Sequence, residues 1–290
     1  MIGFHLNKAK RHFMEMLGKK FPQRESEQLM RILLEDLFHI DRKRLLLEPD
    51  LRIDEIQHHR LTQAVMRLLE GEPVQYVTGI AYFDGLKFQV NPSVLIPRPE
   101  TEELVQKVAV ELPANKPLRI WDIGTGSGCI AIALAKRFPL AEVKAFEVSL
   151  GALETARRNA VINKVQVEFI LDDVLHPQSE VLSEPVDVVV SNPPYILDRE
   201  CVDMEENVLD HEPYQALFVP DDDPLLYYRW ILQLALPQLA SDGKVWFEIN
   251  EAMGEKMTEL CHEKGFQADL FDDFAGKPRF ISAKKSVKFV

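Results

Sequence analysis

The chain has 290 residues, of which 46% are hydrophobic and 28% charged, a balance typical of a globular protein with enough core for two domains. The net charge of −12 is uneven: residues 1–70 hold 13 basic and 11 acidic residues, and residues 71–290 hold the other 21 and 35. The acidic part would repel a phosphate backbone, which argues against a nucleic-acid partner, and no run of ~18 apolar residues offers a membrane span.

The sequence also bears on compartment and metals. Residues 1–8 lack the continuous apolar stretch of a signal peptide, so we expect a cytoplasmic protein. The three cysteines are widely spaced, which predicts reduced thiols and no disulfide framework. Neither these cysteines nor the adjacent pair His58 and His59 shows metal-ligand spacing, so no metal is expected.

Residues 1–72 are predicted to form a small helical bundle. Apolar residues, including Leu33, Ile53 and Ile56, recur at three- and four-residue steps throughout this part, as they do in amphipathic helices. Residues 73–95, which alternate around an Asp-Gly pair, are predicted to form a hairpin linker to a larger domain at 96–290.

The larger domain begins with a proline-rich segment. Pro99 suits the first position of a helix, and the acidic residues that follow it complement the helix dipole. Arg98 stands between two prolines, which fixes its direction. The sequence leaves two alternatives for Arg98, a direct contact with the substrate and a purely structural role.

Short apolar runs then alternate with helical stretches, and further on two alternating segments predict a hairpin. The runs lie at residues 117–122, 143–147, 167–171 and 186–191, and the hairpin at 266–271 and 278–284. This order predicts an α/β fold with a doubly wound parallel sheet, completed by antiparallel strands. Ligands bind such sheets at the carboxyl ends of the strands, where the strand order reverses. We expect the first and fourth strands to flank that point.

A glycine-rich turn follows the first strand. After Asp122 the chain reads Gly-Thr-Gly-Ser-Gly, and such glycines let the backbone approach a ligand where a Cβ would clash. The second strand ends at Glu147, 19 residues after Gly128, near the offset of about 20 at which an acid binds ribose in nucleotide sites. A solvated strand end is the alternative for Glu147, and we favour the ligand role.

The fourth strand ends in Asn-Pro-Pro-Tyr, residues 192–195. The two prolines make a rigid loop, in which the side-chain oxygen of Asn192 and the carbonyl oxygen of Pro193 can accept both protons of one NH2 group. This would direct the nitrogen lone pair toward an electrophile, and Tyr195 could lie over the planar group as a flat wall. Orientation would supply most of the rate, so no general base is required.

Asp-x-Gly-x-Gly-x-Gly followed by Asn-Pro-Pro-Tyr resembles the class I S-adenosylmethionine-dependent methyltransferases that modify amide or amino nitrogens. Segments at 71–79, 95–102, 212–213 and 247–249 further resemble the peptide chain release factor N(5)-glutamine methyltransferases. The resemblance implies a seven-stranded, mostly parallel, Rossmann-like sheet and a helical domain that docks the substrate. It also implies transfer of the S-adenosylmethionine methyl group to the glutamine of Gly-Gly-Gln in class 1 release factors, which modulates translation termination. S-adenosylhomocysteine is the product, and the enzyme is expected to be a monomer.

The resemblance also implies roles for individual residues. Those for the cofactor are Asp122, Gly124, Thr125, Gly126, Ser127, Gly128, Glu147, Asp173, Val174 and Asn192; those for the substrate are Asn192, Pro193, Pro194, Tyr195 and Arg98, of which Asn192, Pro193 and Tyr195 are catalytic. Two positions depart from the family pattern, since Glu147 replaces the usual Asp and Val174 replaces a large side chain that covers the adenine. Part of the adenine pocket is therefore left undefined.

Other functions stay open on the sequence alone. A ribosomal protein could present the glutamine instead of a release factor. A DNA adenine methyltransferase would use the same Asn-Pro-Pro-Tyr loop for a flipped adenine, but it would need a basic groove. A non-catalytic scaffold would have no need of a site that holds an NH2 group.

Overall fold

The computed structural model describes residues 3–113, 115–178, 185–204 and 206–286. The chain forms two compact units, one of Met1–Ile80 with Glu205–His211 and the other of Ala81–Met204 with Glu212–Val290. The predicted division into 1–72, 73–95 and 96–290 stays a prediction, and its outermost residues, 1–2 and 287–290, lie outside the described part.

The first unit is mostly helical. Its elements are β1 (Phe4–His5), α1 (Leu6–Leu17), α2 (Gln23–Phe38), α3 (Arg42–Leu47), β2 (Arg52–Ile53), α4 (Glu55–Leu69) and α5 (Val74–Thr78). The expectation that this part is helical throughout was wrong at Ile53, which pairs with Phe4 in an antiparallel β-bridge. Asp54 caps α4 directly afterwards, in a capping box with Gln57, so the helix cannot extend back to Ile53. Ile56 is 80% exposed and is not a core residue.

The second unit begins at Ala81, within the strand β3 (Ile80–Phe83), which is followed by β4 (Leu86–Gln89). They are joined by Asp84 and Gly85, both with positive φ, as in the tight turns of hairpins. The sheet strands that follow are β5 (Arg119–Ile123), β6 (Glu142–Glu147), β7 (Glu168–Leu171), β8 (Val186–Ser191), β11 (Leu239–Glu248), β12 (Phe266–Asp272) and β13 (Pro278–Lys285), and a short parallel pair is formed by β9 (Ile196–Leu197) and β10 (Phe218–Val219).

Helices connect these strands. They are α6 (Pro99–Glu111), α7 (Cys129–Arg137), α8 (Leu150–Asn163), α10 (Tyr214–Leu217), α11 (Leu226–Gln238) and α12 (Gly254–Glu263), while α9 (Glu206–His211) belongs to the first unit. None of the helices in the described part of the chain is both long and apolar enough to span a membrane.

Within the described residues the sheet has seven strands in the order β12-β13-β11-β8-β5-β6-β7. The predicted parallel pairing of the first four strands is confirmed. The expectation that a hairpin completes the sheet as antiparallel strands is confirmed, because β13 pairs antiparallel with β11 and β12 pairs antiparallel with β13.

The core lies on both faces of this sheet. Val189 and Phe247 pack in a cluster with residues of α11 and α12, while Val188 and Trp246, their neighbours along the strands, pack with residues of α6 and α7. This burial of successive residues on opposite faces explains why β8 reads as a continuous apolar run.

The strand order reverses between β5 and β8, as predicted, because β6 and β7 lie on one side of β5 and β8 lies on the other. The last residues of the two strands, Ile123 and Ser191, are paired, and the Ser191 hydroxyl donates to the Ile123 carbonyl over 2.6 Å. The glycine loop and the Asn-Pro-Pro-Tyr loop therefore begin side by side.

Candidate active site

A cavity lies at the carboxyl ends of β5, β6 and β8, entirely within the second unit. Most of the predicted site residues line it, namely Arg98, Gly124, Thr125, Gly126, Ser127, Glu147, Asp173, Val174, Asn192, Pro193 and Pro194. Among the described residues, three predicted members, Asp122, Gly128 and Tyr195, are not part of its lining. Each of these three lies just behind the wall and contacts residues that form it.

The glycine loop is held by the end of β6. The backbone N–H groups of Gly124 and Thr125 donate to the carbonyl of Phe146 over 2.9 and 3.0 Å. Gly124 and Gly126 have positive φ, and a Cβ at either position would meet nothing within 4 Å, so both face open space in the cavity. The loop therefore presents bare backbone to a ligand.

Gly128 has a different function from the other two glycines. A Cβ there would lie 2.9 Å from Cδ1 of Ile132 and 3.1 Å from Cβ of Ala156. Gly128 therefore allows close packing of α7 and α8 at the start of α7, and the structure shows no cavity-facing role for it.

Asp122 anchors the loop from inside the sheet. Its Oδ2 accepts from the Thr125 hydroxyl over 2.6 Å and from the backbone N–H of Ala131 over 3.1 Å. Burial, more than the nearby charge of Glu147, raises the pKa of Asp122 to about 7. Its Oδ1 is buried and has no hydrogen-bond partner among the described residues.

Glu147 lies at the end of β6, the strand that pairs with β5, and lines the cavity. Its two carboxylate oxygens accept from the backbone N–H groups of Gly126 and Ser149, each over 2.9 Å. These bonds fix the carboxylate, and each oxygen keeps further acceptor capacity. The extra methylene relative to Asp thus does not leave the carboxylate loose.

The side chain at Val174 does not stand alone. Tyr227 and Ile231, from the first turns of α11, line the cavity together with it. Burial, and after it the charge of Asp173, raises the pKa of the Tyr227 hydroxyl. Tyr227 was not predicted from the sequence, where the available signal was an aromatic pair at the start of an apolar helix.

Asn192 is held in one orientation. Its Nδ2 donates to Oγ1 of Thr101 over 3.0 Å, and the Thr101 hydroxyl donates to Oε2 of Glu248 over 2.7 Å. Among the described residues no donor contacts Oδ1 of Asn192, which remains available in the cavity. Pro193 and Pro194 continue the same wall.

Tyr195 turns away from this wall. It packs beside the core cluster on the α11 face, and its hydroxyl donates to Oε1 of Glu248 over 3.2 Å. Burial, followed by the charge of Glu248, raises the pKa of Tyr195 far above its usual value, so the phenol stays neutral. Its predicted role as a flat wall over the substrate stays a prediction.

Arg98 is paired with a buried acid from the loop before α10. Its Nη2 lies 2.6 Å from Oε1 of Glu212, and the backbone N–H of Ile96 donates to Oε2 over 3.2 Å. The Arg98 side chain is one-third exposed and lines the cavity, whereas that of Glu212 is buried. Glu212 therefore joins the segment before α6 to the cavity rim.

No role was predicted from the sequence for Thr101, Glu212 or Glu248. All three belong to segments that carried the family resemblance, which was the available signal for them. They act on the site through side chains more than 100 residues distant along the chain, as in the pairs Arg98–Glu212 and Thr101–Glu248.

Comparison with known proteins gives matches over most of the chain. The Methyltransferase small domain matches residues 101–211, and the PrmC N-terminal domain matches residues 9–79. The release factor glutamine methyltransferase of Flavobacterium psychrophilum is 44% identical over 273 residues, 93% of this chain and 95% of its own length. That of Bacteroides thetaiotaomicron is 38% identical over 281 residues, 97% of this chain and 100% of its own.

A solved structure supports the fold. A methyltransferase from Pyrococcus furiosus superposes with a TM-score of 0.52 at 20% identity, covering 77% of this chain and 99% of its own. At that identity the likeness concerns the fold, and it agrees with the observed sheet.

Proposed function

The chain belongs to the release factor glutamine methyltransferase family, and we propose that the cavity at β5 and β8 is where its reaction takes place. The enzyme is a methyltransferase that uses S-adenosylmethionine to methylate a glutamine side chain of a release factor. We propose in addition that this glutamine belongs to a Gly-Gly-Gln motif, and we propose a role for each residue of the cavity.

The cavity residues fit the cofactor. Gly124 and Gly126 present bare backbone to open space in the cavity, and the carboxylate of Glu147 is held in place at its edge by two backbone N–H groups. We assign the ribose hydroxyls to Glu147 and the adenine to the wall of Val174, Tyr227 and Ile231. When bound, S-adenosylmethionine supplies an electrophilic sulfonium methyl group.

The chain's own contribution to the transfer is orientation. A carboxamide nitrogen is a poor nucleophile because its lone pair is delocalised into the carbonyl. Two hydrogen bonds from its N–H groups, one to Oδ1 of Asn192 and one to the carbonyl oxygen of Pro193, would raise the electron density on that nitrogen and fix the direction of its lone pair. Well-oriented reactants gain about 7–11 kcal/mol, so no catalytic histidine is needed. The surplus proton can leave after transfer.

The observation that carries this assignment is the orientation of Asn192. Its NH2 group donates to Thr101, which leaves the side-chain oxygen of Asn192 as an acceptor for a ligand in the cavity that this residue lines. A substrate NH2 group can use that acceptor, whereas a carbonyl or carboxylate cannot.

The experiment is methylation of release factors with labelled S-adenosylmethionine. We expect label on a release factor that carries Gln in Gly-Gly-Gln and none when that Gln is replaced by Glu. Label on the substituted factor, or on ribosomal proteins in place of release factors, would refute the substrate assignment.

The remaining features of the proposal concern partners and location. We propose a monomer in the cytoplasm that docks its protein substrate through residues 1–72 and binds no nucleic acid directly. The net charge of −14 on residues 71–290, from 21 basic and 35 acidic residues, supports a protein partner over a phosphate backbone. It also weighs against a DNA adenine substrate.

A further inference from the structure

Side chains from three distant segments form one hydrogen-bonded series behind the cavity wall. Oγ1 of Thr101 donates to Glu248 over 2.7 Å and accepts from Asn192 over 3.0 Å. The second carboxylate oxygen of Glu248 accepts from Tyr195 over 3.2 Å. Thr101 is 3% exposed and Glu248 is 1% exposed, so water cannot replace either partner.

The direction of these bonds determines how Asn192 is turned. A threonine hydroxyl has one hydrogen, and ionised Glu248 accepts it. Thr101 therefore offers Asn192 only a lone pair, which the NH2 group of Asn192 can use and its oxygen cannot. With the side chain flipped, two acceptor oxygens would face each other with no hydrogen between them.

We propose that Glu248 and Thr101 are positioning residues that hold the side-chain oxygen of Asn192 toward the substrate NH2 group. Neither residue needs to touch the reacting atoms, since both act through Asn192. The inference rests on the proposed function, in which the side-chain oxygen of Asn192 accepts a hydrogen bond from the glutamine amide NH2 group.

Protonation of Glu248 would reverse the direction of the hydrogen bonds that join Glu248, Thr101 and Asn192. A protonated Glu248 can donate to Thr101, which is then free to donate to Asn192, and the NH2 group of Asn192 would turn toward the cavity. The groups that face Glu248 are Thr101 and Glu100 of α6, Cys129 of α7, Tyr195, Tyr228 of α11 and Arg279 of β13. Burial raises the pKa of Glu248 to about 7, against the lowering effect of the two hydroxyl donors and Arg279. The active orientation should therefore be lost as the pH falls below neutrality.

A matched pair of variants at Thr101 provides the test. Thr101→Val keeps the shape and removes the hydroxyl, and Thr101→Ser keeps the hydroxyl and removes a methyl group. At saturating cofactor and release factor, we expect kcat of Thr101→Val to fall about 10- to 100-fold, with KM for the release factor changed far less. Thr101→Ser should recover most of that loss.

Two readouts separate positioning from folding. Calorimetric affinity for S-adenosylmethionine and thermal unfolding should show that Thr101→Val is folded and binds the cofactor. In the wild type, kcat should fall with the slope of one proton below about pH 7, and Thr101→Val should lack that dependence. A folded Thr101→Val with kcat within twofold of wild type would overturn the proposal. Should that variant fail to fold, a wild-type kcat that does not change between about pH 6 and 8.5 would overturn it.

Asn192→Ala, measured in parallel, separates the proposed role of Asn192 from the positioning role of Thr101 and Glu248. If Asn192→Ala turns over as fast as wild type, the proposed role of Asn192 as an acceptor for the substrate NH2 group fails. If Asn192→Ala loses turnover while Thr101→Val keeps it, only the positioning role of Thr101 and Glu248 fails.

Discussion

Gly126→Ala tests whether the glycine loop faces a ligand. Gly126 has φ of +54°, and a Cβ there would meet nothing within 4 Å, so the new methyl group would enter the cavity. A left-handed backbone costs a non-glycine residue about 1–2 kcal/mol, and we expect a loss of stability of this size alone. A methyl group forced into occupied space costs about 1–3 kcal/mol, so affinity for S-adenosylmethionine should fall about 5- to 150-fold.

Gly128→Ala is the matched control in the same loop. Its φ is +84°, and its Cβ would lie 2.9 Å from Ile132 and 3.1 Å from Ala156. Backbone strain and overpacking together should cost about 2–5 kcal/mol of stability, while the folded protein keeps its cofactor affinity. Calorimetry with S-adenosylmethionine and urea unfolding measure the two effects separately. Wild-type affinity in Gly126→Ala would refute the assignment of the loop.

Three further predictions follow from the site. Asn192→Ala should raise the activation free energy for kcat by more than the ~1–3 kcal/mol expected for one unpaired donor, whereas Asn192→Asp should keep partial activity. Equal losses in kcat and in substrate affinity would contradict an orienting role. Tyr227→Ala should weaken S-adenosylmethionine binding about tenfold by calorimetry and Tyr227→Phe far less, since in the proposed site the ring and not the hydroxyl covers the adenine. Wild-type affinity in Tyr227→Ala would exclude that contact. Burial raises the pKa values of Asp122 and Glu248 to about 7, so the folded protein holds these protons more tightly than the unfolded chain. The free energy of unfolding should therefore fall as the pH rises from about 4 through 7, and Asp122→Asn and Glu248→Gln should each flatten that slope in urea titrations.

Local patterns in the sequence predicted both loops and six of the seven sheet strands in the described residues, but β11 (Leu239–Glu248) was not among the predicted runs. The apolar run 186–191 identifies β8 because successive side chains are buried on opposite faces, and Asn-Pro-Pro-Tyr identifies its end. The expectation that the first and fourth strands flank the reversal follows from general rules for α/β sheets, and the structure confirms it.

Contacts between distant segments could not be predicted in the same way. Thr101 and Glu248 are 147 residues apart, and a threonine in the first turn of a helix looks like an ordinary helix residue. The difference between Gly126 and Gly128 is also invisible in the motif, because it depends on how closely α8 approaches the loop. Ile56 matched the periodicity of a core residue yet is exposed, since a helix face can be left without a partner.

Two of the buried acids, Asp122 and Glu248, are used in a similar way. Asp122 lies in β5 and Glu248 ends β11, and each accepts a hydrogen bond from a threonine hydroxyl that belongs to a neighbouring segment. A buried carboxylate costs stability, and apolar replacements of such groups are often neutral or stabilising. Here each acid fixes the direction of a polar group at the cavity, the glycine loop in one case and the Asn192 amide in the other. The proposed reaction depends on orientation more than on acid–base chemistry. The two acids therefore lower the stability of the fold but orient the groups on which the reaction depends.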